Sequence, residues 1–293
     1  MSGFMIKLPE AVTDLTLPKL YADPIMSDGS LVLLDVGHSA GLVTGIPANN
    51  SKIINVAGDI AKILTGSAVL ENMSPNVLNT LTSPSGTVER TAKKGIHVIY
   101  SKVGDANLLG WNIAFNADND MKAYLLANAS HDFFMSQWSR VTRAAGFDQM
   151  LSFMGLNKGF NDSILYNIRL NNNTLGLELG KRSTGHTALG QTGVMLRNLG
   201  FKNYKTAGSY TLPAVGSTNF FPFSAGRDNG YATANQGQYP SQVFYRYYLE
   251  DLTVSGRTYA EVDAIDNAMY TAAFAEGGKF YGDTFSDPAT VLA

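Results

Sequence analysis

The chain has no cysteine in 293 residues, which excludes both a disulfide framework and a cysteine-ligated zinc site. Charge is scarce as well: only 16% of residues are Asp, Glu, Lys or Arg, and the formal net charge is -2. A surface this weakly charged has no basic field to attract phosphates, so nucleic acid is not an expected partner. No apolar run approaches the length of a membrane span, and the opening "MSGFMIKLPEAVTD" lacks the continuous apolar core of a secretory signal. The expectation is a chain made in a cytosol, without membrane insertion. Internal repeats, heptads and low-complexity blocks are missing. So are G-x-S-x-G, a P-loop, a dinucleotide fingerprint and HExxH, leaving nucleophilic catalysis, a metal or a bound cofactor without a motif.

What the chain does have is alternation. In residues 243–249, Val243, Tyr245, Tyr247 and Leu249 alternate with Phe244, Arg246 and Tyr248, the period of a pleated strand. Thr258 and Glu261 follow at capping-box spacing: the hydroxyl accepts a backbone N–H while the carboxylate reaches back to the cap's own N–H. Val262, Ile265, Met269 and Ala272 then recur at helical spacing, with Gly277 and Gly278 as the stop.

Further strands are expected at 31–36, 96–101, 111–116, 132–142, 147–154, 163–170, 175–179, 194–199 and 209–212, separated by Gly, Asn and Ser clusters. A short helix is expected at 121–127, and 53–64 is ambiguous between helix and strand. Residues 37–50 read as a loop, and 71–88, with two prolines and a Ser-Gly pair, read as a polar surface crossing. Residues 1–29 carry Pro9, Pro18 and Pro24 among scattered apolar residues, the pattern of an extended docking arm. The pattern predicts a mainly β chain: an antiparallel β-sandwich over 30–293 with inserts between 37 and 130 and a few short helices.

The loop 223–239, "FSAGRDNGYATANQGQY", is the candidate sugar site. A sugar ring needs a flat aromatic face, planar polar groups for its hydroxyls and a backbone that comes close. Arg227, Asp228, Asn229, Tyr231 and Tyr239 supply these, with Asn235 and Gln238 beside them. The same composition also makes an ordinary long polar loop. Asn171 to Thr174 offer oxygen for calcium, but a hairpin turn is the expected reading. His38, His97, His131 and His186 have no partner at ligand spacing. Glu261, Asp263 and Asp266 form an E-x-D-x-x-D string; on a helix, Glu261 and Asp263 diverge by about 200° and cannot flank one bond, so a solvated face is expected. Trp111 and Trp138 lie in apolar alternation and are expected in the core, while Tyr245, Tyr247 and Tyr248 suit a core or a subunit interface.

The segment "YRYYLEDLTVSGRTYAEVDAID" resembles the closing strand and short terminal helix of laminin-G-like, concanavalin-A-like jelly-roll domains. "DFFMSQWSRV" at 132–141 is similar to an early strand of those domains, where Phe, Ser and Trp alternate along an edge, and "SLVLLDV" at 30–36 stands where their first strand would. Long inserts between these two segments depart from the family pattern. The E-x-D-x-x-D string is one substitution short of the E-x-D-x-x-E pattern that glycoside hydrolases of this sandwich carry on a strand. A surface rich in Asn, Ser, Thr, Gly and Tyr, on a chain without a leader, is similar to that of accessory virion proteins of tailed bacteriophages that carry such a jelly roll. That resemblance implies a non-enzymatic decoration or tail-associated protein of the virion, made in the host cytoplasm and extracellular after lysis. The implied partners are other virion proteins, further copies of itself and a host cell-surface glycan. A carbohydrate-binding receptor-recognition protein or a glycan hydrolase of the same fold is the alternative.

Overall fold

A computed structural model describes residues 23–41, 45–103, 111–144, 152–157, 163–170, 195–201, 214–226 and 239–292. Among the described residues twelve strands run in chain order: β1 (Ser30–Asp35), β2 (Asn76–Asn79), β3 (Gly86–Arg90), β4 (Ile96–Tyr100), β5 (Trp111–Asn116), β6 (Phe133–Arg143), β7 (Ser152–Asn157), β8 (Ser163–Leu170), β9 (Met195–Phe201), β10 (Asn219–Phe221), β11 (Phe223–Gly226) and β12 (Ser241–Asp251). The helices are α1 (Gly58–Thr65), α2 (Asn119–Ala127), α3 (Leu252–Ser255), α4 (Tyr259–Phe274) and α5 (Pro288–Val291). The chain is mainly β, with every strand pair antiparallel, as its alternation predicts.

Two six-stranded sheets form. The first runs β3-β4-β12-β6-β9, with β1 also on β12; the second runs β10-β7-β11-β5-β2, with β8 on β7. Strand β12 is the spine of the first sheet. One of its edges pairs with β6 along the whole length, from Ser241↔Arg143 to Asp251↔Phe133. The other edge is shared end to end, β4 taking Gln242 to Phe244 and β1 taking Arg246 to Glu250.

Where β4 hands over to β1, β12 carries a β-bulge: Phe244 lies opposite Ser139 and Arg246 opposite Trp138, so Tyr245 is the extra residue. An extra residue breaks strict alternation, so that two consecutive side chains share a face. Phe244 turns inward onto Phe115 and Phe223 of the second sheet, at ring separations of 5.3 and 5.0 Å, and Tyr247 turns inward toward Phe220. Tyr245 and Arg246 both turn outward, Tyr245 against Phe274 of α4 at 5.1 Å and Arg246 over the Trp138 ring at 4.9 Å. The predicted grouping of Tyr245 with Tyr247 is therefore corrected by the bulge. Every residue of β12 is buried because the second sheet covers one face and α4 with its flanking segments covers the other.

The capping box forms as predicted: Thr258 Oγ1 accepts from Glu261 N at 3.3 Å, and Thr258 N donates to Glu261 Oε2 at 2.7 Å. Helix α4 ends before Gly277, which sits at φ +79°, and Gly278, where a Cβ would stand 2.1 Å from the Ala272 carbonyl oxygen. The segment 71–88 is not a plain surface crossing, because it contains β2 and the start of β3 with Met73 and Val77 buried. Strands β10 and β11 also escape the sequence pattern; with three and four residues on either side of Pro222 they are too short to show a period. The expected strands at 175–179 and 209–212 lie outside the described residues. No described helix is long and apolar enough to cross a membrane.

Candidate functional site

The outer face of the first sheet holds the main concentration of buried charge among the described residues. At its centre Arg246, fully buried, donates from Nη1 and Nη2 to the two carboxylate oxygens of Asp23, at 2.9 Å each, and from Nη1 to Asp35 at the end of β1. Asp35 also accepts from Lys279 Nζ at 2.6 Å. On the other side of Trp138, Asp266 of α4 accepts from Ser136 Oγ at 2.9 Å, from Trp138 Nε1 at 3.2 Å and from Arg197 Nη1 at 2.9 Å. Arg197 bridges onward to Asp263 at 2.7 Å.

Electrostatics here is decided by burial against pairing. Burial pushes the Asp35 carboxyl up, but Arg246 and Lys279 overcome it and hold it below its ordinary value. Burial pushes the Arg246 guanidinium down, and Asp23 and Asp35 more than reverse that. Asp266 goes the other way: burial pushes it up, and Arg246, Arg197 and Ser136 only partly offset it. These shifted groups are enclosed, so they cannot meet a substrate; what they do is fasten. Asp23 precedes the first strand, Lys279 follows the last long helix, and both are tied through Asp35 and Arg246 to the spine strand.

A second cluster repeats the pattern one pleat along. Tyr248 Oη lies 2.7 Å from Glu250 Oε2 and 3.1 Å from Ile25 O, its one proton within reach of either, while Arg257 pairs with Glu250 and donates to Ile25 O at 2.7 Å. Ile25 and Met26 are buried beside Leu33, Phe134 and Tyr248. Residues 23–29, the end of the expected docking arm, thus pack on the chain's own sheet; residues 1–22 lie outside the described residues.

Of the sugar-site candidates, Arg227, Asp228, Asn229 and Tyr231 lie outside the described residues, as do Asn235, Gln238 and the run from Asn171 to Thr174. Tyr239 is described and is 1% exposed, its ring 5.3 Å from that of Tyr100. A buried ring offers no face to a sugar, because it is packed into the hydrophobic core.

The E-x-D-x-x-D string is split three ways on α4: Glu261 caps the helix, Asp263 pairs with Arg197, and Asp266 is buried under Trp138. The expected solvated face is corrected at Asp266, whose burial follows from a tertiary contact. Trp138 is buried as expected, although it packs between the sheet and α4 and not between the two sheets. Phe134, Ser136 and Trp138 do alternate, on an interior strand facing α4.

The three described histidines do not cluster, and His186 lies outside the described residues. His38 Nδ1 accepts from Ala40 N at 3.1 Å, His131 pairs with Asp251 at 2.7 Å, and His97 lies between Glu89 and Thr142. No group of three His, Asp or Glu side chains among the described residues has the geometry to hold a metal ion. A depression of about 420 Å³ beside α1 is lined by Ile54, Asn55, Val56, Leu70, Glu71 and Ser74, and no described histidine reaches it.

Asp23, Asp35, Arg246 and Lys279 were not singled out by sequence reasoning. The signal available was an arginine inside an aromatic strand, since a buried cation must find anionic partners. Those partners lie 211 and 223 positions away.

No protein-family model matches the chain, and no curated protein does. Among solved structures it is similar to a mutant Trypanosoma rangeli sialidase displaying trans-sialidase activity, at 11% identity and a TM-score of 0.33 over 80% of this chain and 32% of that one. It is also similar to the Trypanosoma rangeli sialidase in complex with sialic acid, at 13% identity and a TM-score of 0.31 over 82% and 33%. The chain spans about a third of the length of these sialidases.

Proposed function

We propose that this chain is a non-enzymatic structural protein of a tailed-bacteriophage particle, decorating the capsid or associated with the tail, that docks on its neighbours and displays a lectin-like sandwich. The observation that supports this reading is where the charge is spent. An active site needs groups of shifted pKa facing an open cleft. In the described residues Arg246, Asp35 and Asp266 are enclosed and matched; the first two tie Asp23, ahead of β1, and Lys279, after α4, to β12, and Asp266 ties α4 to the sheet. A component that must stay folded outside the cell benefits from distant segments held to one strand this way, since local opening begins where segments are weakly held.

The resemblance of 245–266 to laminin-G-like, concanavalin-A-like jelly-roll domains, with the likeness of 250–264 and of the chain's composition to phage accessory virion proteins, is what suggests the particle context. Display in many copies would turn a weak contact with a host glycan into a firm one through avidity.

Mass spectrometry and immunogold labelling of purified particles test the reading. A fixed copy number at one surface location is the expected result, and absence from the particle overturns it. Two outcomes redirect it. Binding on a glycan array that is lost in the Asn229→Ala, Tyr231→Ala double variant favours a receptor-recognition protein. Glycan hydrolysis that disappears in Glu261→Gln replaces the structural reading with an enzymatic one.

A further inference from the structure

The last described residues, 283–292, cross the outer face of the first sheet at the end opposite the N-terminal segment. They are held at successive points. Ala92 N donates to Thr284 O at 2.9 Å, and Lys93 N and Tyr245 Oη donate to the two carboxylate oxygens of Asp283 at 2.7 and 2.9 Å. Ser286 donates to Glu89 through its N and its Oγ, at 2.8 and 2.7 Å. Arg143 Nη1 donates to Pro288 O and Leu292 O at 3.1 and 2.8 Å.

Beneath this segment lies His97, 0% exposed, with the Phe285 ring edge-on at 4.9 Å and Arg140 stacked over Phe285 at 5.0 Å. The imidazole has one partner on each nitrogen: Nδ1 at 2.8 Å from Glu89 Oε1, and Nε2 at 2.8 Å from Thr142 Oγ1. A neutral ring satisfies both, Nδ1–H donating to the carboxylate and Nε2 accepting the threonine hydroxyl. A cationic ring needs Thr142 to turn its proton away, and it adds a charge that is out of water.

We infer that residues 283–292 form a proton-sensitive strap, closed over a neutral His97 and loosened when that imidazole takes up a proton. The groups that face His97 decide the direction. Glu89 from β3 and Asp283 from the strap favour the cation; Arg143 from β6 opposes it, and Val243, its neighbour on β12, contributes no charge. Burial is the largest influence and pushes the imidazole below its ordinary 6.5.

Glu89 is pushed up by burial, but the hydrogen bonds from His97 and Ser286 prevail and leave it below its ordinary 4.5. Both groups therefore hold fewer protons with the strap closed than open. Closure is at full strength above pH 6.5 and is lost as the pH falls through the lowered His97 value. Glu89 adds a second loss below pH 4.5. The contacts of Arg143 with backbone carbonyls do not titrate in this range, so the strap's end stays tethered while its middle lifts.

Hydrogen exchange on the full chain tests this, with rates corrected for the intrinsic pH dependence. Between about pH 7.5 and about pH 5 the protection of the Ser286, Ala92 and Lys93 amides should fall about twofold or more, while that of 288–292 and of β12 stays constant. His97→Gln, neutral at every pH, should abolish that fall. Equal protection of the wild-type strap at both pH values overturns the inference, and so does a fall that persists in His97→Gln. Should that variant fail to fold, titration of the wild-type imidazole by NMR decides: a value under 6.5 supports the strap, and a value at or above 6.5 overturns it.

Discussion

The two faces of β12 are stabilised by opposite means, although both are fully buried. On the inner face Phe244 and Tyr247 meet phenylalanines of the second sheet and Leu249 is buried in the same core, and each large side chain removed from water contributes about 1.5–3 kcal/mol without needing a particular partner. On the outer face Arg246, Tyr248 and Glu250 are buried only because Asp23, Asp35, Ser30 and Arg257 lie within hydrogen-bond reach. An apolar face tolerates changes of shape. A charged one fails when a single partner goes, since the remaining ion stays buried and unpaired.

Changes on the two faces should therefore differ in size. Arg246→Leu strands Asp23 and Asp35 and should cost about 3–5 kcal/mol in chemical denaturation. Leu249→Met, a volume-conserving change on the inner face, should cost less than about 1.5 kcal/mol. Equal losses would mean that the charge network is no more demanding than ordinary packing.

The acid limb of the stability curve sharpens the contrast. The Asp35 carboxyl is held below its ordinary 3.8, so it contributes stability above that value which is lost as the pH falls through the lowered one. Asp35→Asn should therefore lower stability at neutral pH and flatten its decline below pH 3.8, whereas Leu249→Met should leave the slope unchanged. Denaturation midpoints measured across that range check both. The smallest effect belongs to the exposed start of α4: Thr258→Ala removes the cap and should cost about 1 kcal/mol with no dependence on the Arg246 network.

Legibility in the sequence followed how local each feature is. The long strands β1, β4, β5, β6, β8 and β12 were visible because a period of two needs only a few consecutive residues to declare itself. The capping box was visible because its partners are three residues apart. Strands β2, β10 and β11 were not, since three or four residues carry too little pattern and their pairing is to distant segments. Tyr239 shows the limit for sites: an aromatic in a glycine-rich loop has the same composition whether its ring faces water or, as here, Tyr100.

From its order of residues alone the chain specifies antiparallel strands, one long capped helix and the absence of any covalent or cysteine-metal staple, because alternation, capping and composition are properties of neighbours. Which face each side chain of β12 presents was decided only in three dimensions. The bulge at Tyr245 arises where two separate strands share one edge, and it turns Arg246 outward to carboxylates more than two hundred positions away. Burial of a charge depends on what stands opposite it, and the residues opposite Arg246 are brought there by the whole sheet.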